Sequence, residues 1–120
     1  MVEFDKFQGI HPERAAQVCR ILSAALKAAD PRQAVCNAVR ISGNKLDIAG
    51  HRRDLENIHR LRLVGAGKAA QAMARGVVDV LGERIDDGVL ITKHLNDGGG
   101  PLPDSIRVLQ GGHPLPSQES

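Results

Sequence analysis

The residues best placed to do chemistry lie in the run Arg60–Met73, RLRLVGAGKAAQAM. An apolar stretch enters Gly65-Ala66-Gly67, and a helical pattern starts at once. Amide N–H groups freed at a helix start point toward the end of the preceding strand, and the helix dipole favours negative charge there. Lys68 stands where such turns usually carry a small neutral residue. A lysine in the first helical turn opposes the dipole, at a cost of roughly 0.3–1 kcal/mol if nothing neutralises it. Lys68 is therefore either a point charge for an anionic ligand or a lysine extended into water. Two other residues pose the same question at strand ends. Lys93 closes the run GVLITK, where it either shares that crevice or is simply solvated. His113 follows RVLQGG in a His-Pro pair, a pattern that more often holds a turn than serves as a base.

Three readings compete for the glycine turn. Gly65, Gly67 and Ala70 fit the G-x-G-x-x-A of a dinucleotide fold. That fold also needs an acid at the end of the next strand, and here the strand ends in Lys93 and His94, while Asp86 and Asp87 precede it. A dehydrogenase fragment is disfavoured on that ground. A phosphate loop of the Walker type fails at two positions: Arg62 replaces its first glycine, and Ala69 replaces the hydroxyl residue that would hold Mg²⁺. The third reading is an anion-binding helix start that follows neither grammar in full.

The surrounding elements must position this turn. Pro12 to about Ala29 reads as a helix with an apolar stripe of Ala15, Val18, Leu22, Ala25, Leu26 and Ala29. A second helix restarts at Asp30-Pro31, with Gln33 at the third position of a capping box, and runs toward Gly43. Asn44–Asn57 reads as a small hairpin looped at Gly50-His51, which sets Leu46 opposite Leu55. Then the pattern alternates. IHRLRLVGA, DGVLITK and SIRVLQGG read as strands, and KAAQAMARGVVDVLGE as a helix burying Ala69, Met73, Val77, Val80 and Leu81. Continuous apolar strands around a helix indicate a parallel sheet buried on both faces. HLNDGGGPLPDS, between the last two strands, reads as a flexible loop or an irregular crossover. Its three glycines either permit a linker or let it move over a ligand.

Composition removes several classes of function. Net charge is +2, so no strong basic field points to nucleic acid, and with Phe4 and Phe7 as the sole aromatics there is no stacking platform for single strands. No apolar run is long enough for a membrane span. Cys19 and Cys36 fit small buried side chains in a reducing compartment rather than a disulfide scaffold, which makes the cytoplasm the expected location. No C-x-x-C or His-x-x-x-His suggests a metal, and the acids are scattered. Ser117 offers a helix start just before the sequence stops, as in a piece of a longer protein.

Several segments together resemble the N-terminal domain of the glycerate 2-kinase family, the glycerate kinases whose C-terminal part carries the MOFRL domain. They are ALKAADP, KLDIAG, RLVGAGKAAQAMA, GVLITK and GGHPLP. The resemblance implies an α/β, Rossmann-like and mainly parallel fold, with residues 1–120 forming an incomplete N-terminal domain. It implies ATP-dependent phosphorylation of D-glycerate in a cleft between two domains, with Mg²⁺ ligands outside this stretch. Carried over by position, Lys68 lines that cleft, Gly65 and Gly67 shape the turn that presents it, and His113-Pro114 matches the family's HP pair. Ser117 and Gln118 depart from the acids that commonly follow there. The alternative is a non-catalytic module that holds a sugar phosphate or another anion at the GAGK turn. In either case a short sheet with few helices leaves apolar surface bare, so self-association or an exposed sheet face is expected.

Overall fold

The structure is a computed structural model and describes residues 11–112. The chain divides into two units, Met1–Asp30 and Pro31–Ser120. Helix α1, Pro12–Ala28, makes up the described part of the first. Pro12 opens it where no N–H is needed, Glu13 and Lys27 complement its dipole, and it buries none of its residues.

The second unit begins with α2, Pro31–Ala38. The expected helix toward Gly43 stops early, because Val39–Ser42 is a strand, β1. This VRIS run is half β-branched, and Val39 and Ile41 turn inward while Arg40 and Ser42 are exposed. Strands β2, Lys45–Ile48, and β3, His51–Asp54, complete an antiparallel sheet in the order β1-β2-β3. The expected hairpin is thus two strands of a meander, and its register differs. Ala49-Gly50 forms the loop, so Leu46 faces Arg53 rather than Leu55. Both loop residues have positive φ, 50° and 88°, the twist-matched geometry of a tight hairpin turn. The Asp47 carboxylate accepts the Gly50 amide at 2.8 Å and fixes the loop there.

The parallel sheet follows: β4 Arg62–Ala66, β5 Asp87–Thr92 and β6 Ile106–Gln110, in the order β4-β5-β6. Helix α3, Ala70–Leu81, connects β4 to β5, and residues 93–105 connect β5 to β6 without a helix. The architecture is mixed α/β, with three parallel and three antiparallel strands.

The buried face of α3 matches the expected stripe in part: Leu81 is buried and Val77 and Val80 pack against the core. Ala70, Gln71, Ala74, Arg75, Gly76 and Leu81 are buried, and Met73 is exposed. Small residues permit close packing. A Cβ on Gly76 would lie 2.6 Å from the Arg32 carbonyl oxygen and 2.9 Å from the Val35 Cβ, so α2 and α3 approach there at backbone distance. An Arg32–Asp79 pair, at 2.6 and 2.8 Å, ties the same two helices. Val35, Val39, Leu46, Leu81 and Ile85 form one core cluster, and Ala74, Leu90 and Ile106 another; Leu63 and Val78 pack against both.

The two faces of the parallel sheet differ. Leu90 on the α3 side is 1% exposed, whereas Val64 on the other is 81% exposed, with Val89 and Leu109 also open. The expectation of burial on both faces fails, and the bare sheet face is present. Cys19 and Cys36 are free and half-buried rather than fully enclosed.

Candidate functional site

Three segments meet at the carboxyl end of β5: the turn between β4 and α3, the last residues of β5, and the loop beyond it. Lys68, Thr92, Lys93, His94, Asn96 and Asp97 line a cleft of about 460 Å³ there.

The turn is built by backbone geometry. The Gly67 amide donates to the Ile91 carbonyl at 2.9 Å, extending the β4–β5 ladder one residue past β4. Its φ of 113° is open to glycine at little cost, and an added Cβ would meet nothing, so the requirement is conformational. Gly65 has a different reason. A Cβ there would stand 3.0 Å from Leu90 Cδ2 and 3.7 Å from the Ala70 Cβ, so glycine lets the helix start sit against β5. The Ala70 amide closes a turn onto the Gly67 carbonyl at 3.2 Å, and the Met73 amide donates to Ala69 at 2.9 Å.

Helix α3 therefore begins at Ala70 with Ala69 as its cap, and Lys68 precedes the cap. It does not occupy the first helical turn as the sequence suggested, because the strand ladder runs on through Gly67 before the chain coils. The amides of Lys68 and Ala69 have no backbone carbonyl partner among the described residues. Lys68 is exposed, and its ammonium makes no ion pair or hydrogen bond with a described residue; the same holds for Lys93.

The far wall of the cleft is held from α3. Arg75, 6% exposed, forks onto Asp97 at 2.8 and 2.7 Å and donates through Nε to the Gly100 carbonyl at 2.9 Å. Gln71, 3% exposed, donates to the His94 carbonyl at 2.6 Å. The Arg75 guanidinium, helped by the Gly99 amide, holds the Asp97 carboxyl below the usual carboxylate range against the opposing effect of burial. Asp97 is thus committed to Arg75, and the free charges facing the cleft are the two ammonium groups. A dianion or a ligand carrying two acidic groups suits such a wall, with the open amides at the turn as oxygen partners.

Larger cavities lie elsewhere. One of about 710 Å³ covers the meander, lined by Arg40, Lys45, Asp47, Arg52 and Asp54 among others. There Asp54 pairs with Lys45 and Asp47 with Arg52, while Arg40 and Arg53 form no ion pair with a described residue. Another of about 710 Å³ lies along the 95–104 loop, where Gln71, Arg75, Asn96 and Asp104 line it together with Leu102, Ile106 and Val108. The smaller cleft is the stronger candidate because its two unpaired ammonium groups stand at the carboxyl end of parallel strands, beside the open amides of the turn. Among the described residues no three His, Cys, Asp or Glu side chains lie together to hold a metal ion.

Of the residues singled out in the sequence, Gly65, Gly67, Lys68 and Lys93 come together at this end of the sheet, and His113 lies outside the described residues. Sequence reasoning missed Gln71, Arg75, Asn96 and Asp97. The signal available was two polar residues four apart on α3, among small apolar neighbours, and an acid directly before three glycines.

A family model described as Domain of unknown function (DUF4147) matches residues 17–120. The chain is 39% identical over 101 residues to a glycerate 2-kinase of Pyrococcus horikoshii, covering 84% of this chain and 21% of that protein. It is 39% identical over 64 residues to a D-glycerate 2-kinase of Thermotoga maritima, covering 53% of this chain and 15% of that one. The crystal structure of the PH0495 protein from Pyrococcus horikoshii OT3 superposes with a TM-score of 0.67 at 37% identity, over 84% of this chain and 22% of the other. The chain spans about a fifth or less of the length of the curated relatives it matches. It belongs to the DUF4147 family, and its similarity to two glycerate 2-kinases bears out the resemblance seen in its motifs.

Proposed function

We propose that this chain supplies the lysine-bearing wall of an ATP-dependent D-glycerate kinase, within a longer protein whose further residues supply the opposite wall. The observation that carries the reading is the pair of unspent ammonium groups, Lys68 and Lys93, in one cleft at the carboxyl end of parallel strands. The names of the two relatives support glycerate as the substrate and its 2-hydroxyl as the acceptor. On this reading the parallel sheet belongs to a larger Rossmann-like domain, the protein is cytoplasmic, and no helix among the described residues is long and apolar enough to cross a membrane.

Phosphoryl transfer needs placement and charge neutralisation more than covalent help. The bond from the γ-phosphorus to the ADP oxygen breaks, a bond to the glycerate hydroxyl oxygen forms, and the hydroxyl proton passes to water. Lys68 is the catalytic residue of the reading: its ammonium faces the transferred phosphoryl group or the glycerate carboxylate, with the open turn amides on the same oxygens. Gly65 and Gly67 let backbone approach closely, and Lys93 adds a second positive charge. His113 is proposed as a further phosphate contact rather than as a base. No three His, Cys, Asp or Glu side chains gather among the described residues, and no step is assigned to Mg²⁺; on this reading its ligands belong to the remainder of the protein. The bare face of the sheet is where this chain in isolation would self-associate.

The test uses the chain with ATP, Mg²⁺ and D-glycerate, following ADP. No turnover is expected from the chain alone, while inorganic phosphate should shift the Lys68 and Ala69 amide resonances. Sustained turnover that Lys68→Ala abolishes would show that half the site has been misplaced. Tight binding of a sugar phosphate without turnover by the full-length protein would favour the non-catalytic module.

A further inference from the structure

A buried arginine needs a reason. Taking a guanidinium out of water is costly unless its donors are met and a carboxylate answers its charge. Arg75 meets that condition entirely on the 97–100 segment: both terminal nitrogens on Asp97, and Nε on the Gly100 carbonyl. Gly99 makes room for it, since a Cβ there would lie 2.4 Å from Nη1. The loop is also braced internally. The Gly99 amide donates to Asp97 Oδ1 at 3.1 Å and the Gly98 amide to Asn96 Oδ1 at 2.9 Å. One turn earlier on α3, Gln71 holds His94. The glycine run therefore serves neither as a slack linker nor as a lid, because its backbone is moulded around a side chain of the helix. That helix is the one whose start presents Lys68, and the segment it grips carries His94, Asn96 and Asp97 on the facing wall.

We infer that Gln71 and Arg75 are positioning residues that lock the 94–100 loop onto α3, so that the wall facing Lys68 is set before an anion arrives. The inference rests on the anion reading of the cleft. A pre-set wall spares the ligand the entropy of ordering the loop, so loosening the lock weakens binding without removing a ligand contact.

The experiment follows amide hydrogen exchange and an inorganic phosphate titration on the chain, both by NMR. Arg75→Lys keeps the charge and loses the fork; Asp97→Asn keeps the shape and loses the carboxylate, and serves if the first variant does not fold. In either, exchange at Gly98 and Gly99 should quicken at least about tenfold while Leu90 stays protected. Phosphate affinity should fall by about fivefold in Arg75→Lys; Asp97→Asn also removes a negative charge from the cleft and is read by exchange alone. Lys68→Ala should weaken phosphate binding and leave loop exchange as in the wild type. Wild-type exchange in both clamp variants, with wild-type affinity in Arg75→Lys, would overturn the inference. If the wild-type chain shows no phosphate response, the anion reading falls and the binding half of the inference with it; an exchange contrast that persists would show which of the two had failed.

Discussion

The two ends of the parallel sheet treat charge differently. At the amino end, β4 and β5 open on Arg62 and Asp87, directly opposed and paired at 3.0 Å. Beside them the Asp86 carboxylate accepts the Leu61 amide at 2.6 Å, and the Asp86 amide donates back to the Leu61 carbonyl at 2.9 Å. At the carboxyl end Lys68 and Lys93 face one cleft with no described partner. Exposure does not separate the ends, since Arg62 is itself 59% exposed. Nor does stability, because an exposed pair contributes only about 0–1 kcal/mol and leaving a surface lysine free costs little. The ends differ in what is left for a ligand: Arg107 alone stands without an ion pair in the amino-end cleft, whereas two lysines stand beside open amides at the other end. The tightest charge contact nearby, Arg75–Asp97, is spent on the wall of the cleft and adds no free charge to it.

The largest expected effect comes from that wall. Asp97→Ala leaves the Arg75 guanidinium buried with only the Gly100 carbonyl. Full burial would predict a loss of about 3–5 kcal/mol; with the Asp97 side chain 27% exposed, about 2–3 kcal/mol is expected in urea unfolding. A loss below about 0.5 kcal/mol, the range of ordinary surface changes, would mean that the pair does not hold the loop. Next is Lys68→Ala. Removing one charge-assisted contact of about 1.5–3 kcal/mol predicts phosphate affinity lowered by about tenfold or more, with the unfolding midpoint unchanged. Equal affinity in variant and wild type would erase the distinction between the two ends.

How far the sequence carried this comparison depends on the range of the interactions involved. The GAGK turn, the strands around it and the extent of α1 were legible because each is written in local spacing, and Lys68 stood out because it breaks a local pattern; the apolar stripe expected on α1 is not buried. The end of α2 was not, since Val39–Ser42 becomes a strand only when β2 pairs with it. The hairpin register was lost to one side chain, Asp47, whose bond to Gly50 fixes the loop at Ala49-Gly50. Part of the buried face of α3 was misjudged because the helix packs through glycine and alanine, which carry little weight in an apolar pattern, and buries an arginine whose partner lies 22 residues on. That long-range bond also turned a run read as a permissive loop into a fixed wall.

Acid should separate the ends next. Arg75 lowers the Asp97 pKa from its ordinary value of 3.8, so the folded state takes up that proton less readily than the unfolded chain. The stabilisation is therefore complete above the unfolded value and is lost as pH falls through the lower folded value. Amide shifts of Gly98 and Gly99 should hold steady through neutral and mildly acid pH and move only below about 4. Movement near pH 6 would implicate a different group.

The smallest expected effect belongs to the amino end. Arg62→Ala removes the exposed partner of Asp87, and both side chains already face water at 59% and 45%. Screening leaves such a pair about 0–0.5 kcal/mol, and the variant should bind phosphate as the wild type does. The value of this variant is its contrast with Lys68→Ala: one removes a cation that is already answered, the other a cation that is waiting. If Arg62→Ala weakened phosphate binding as much, the loss would reflect the general positive field of the chain, and the carboxyl-end cleft would have no claim to be a site.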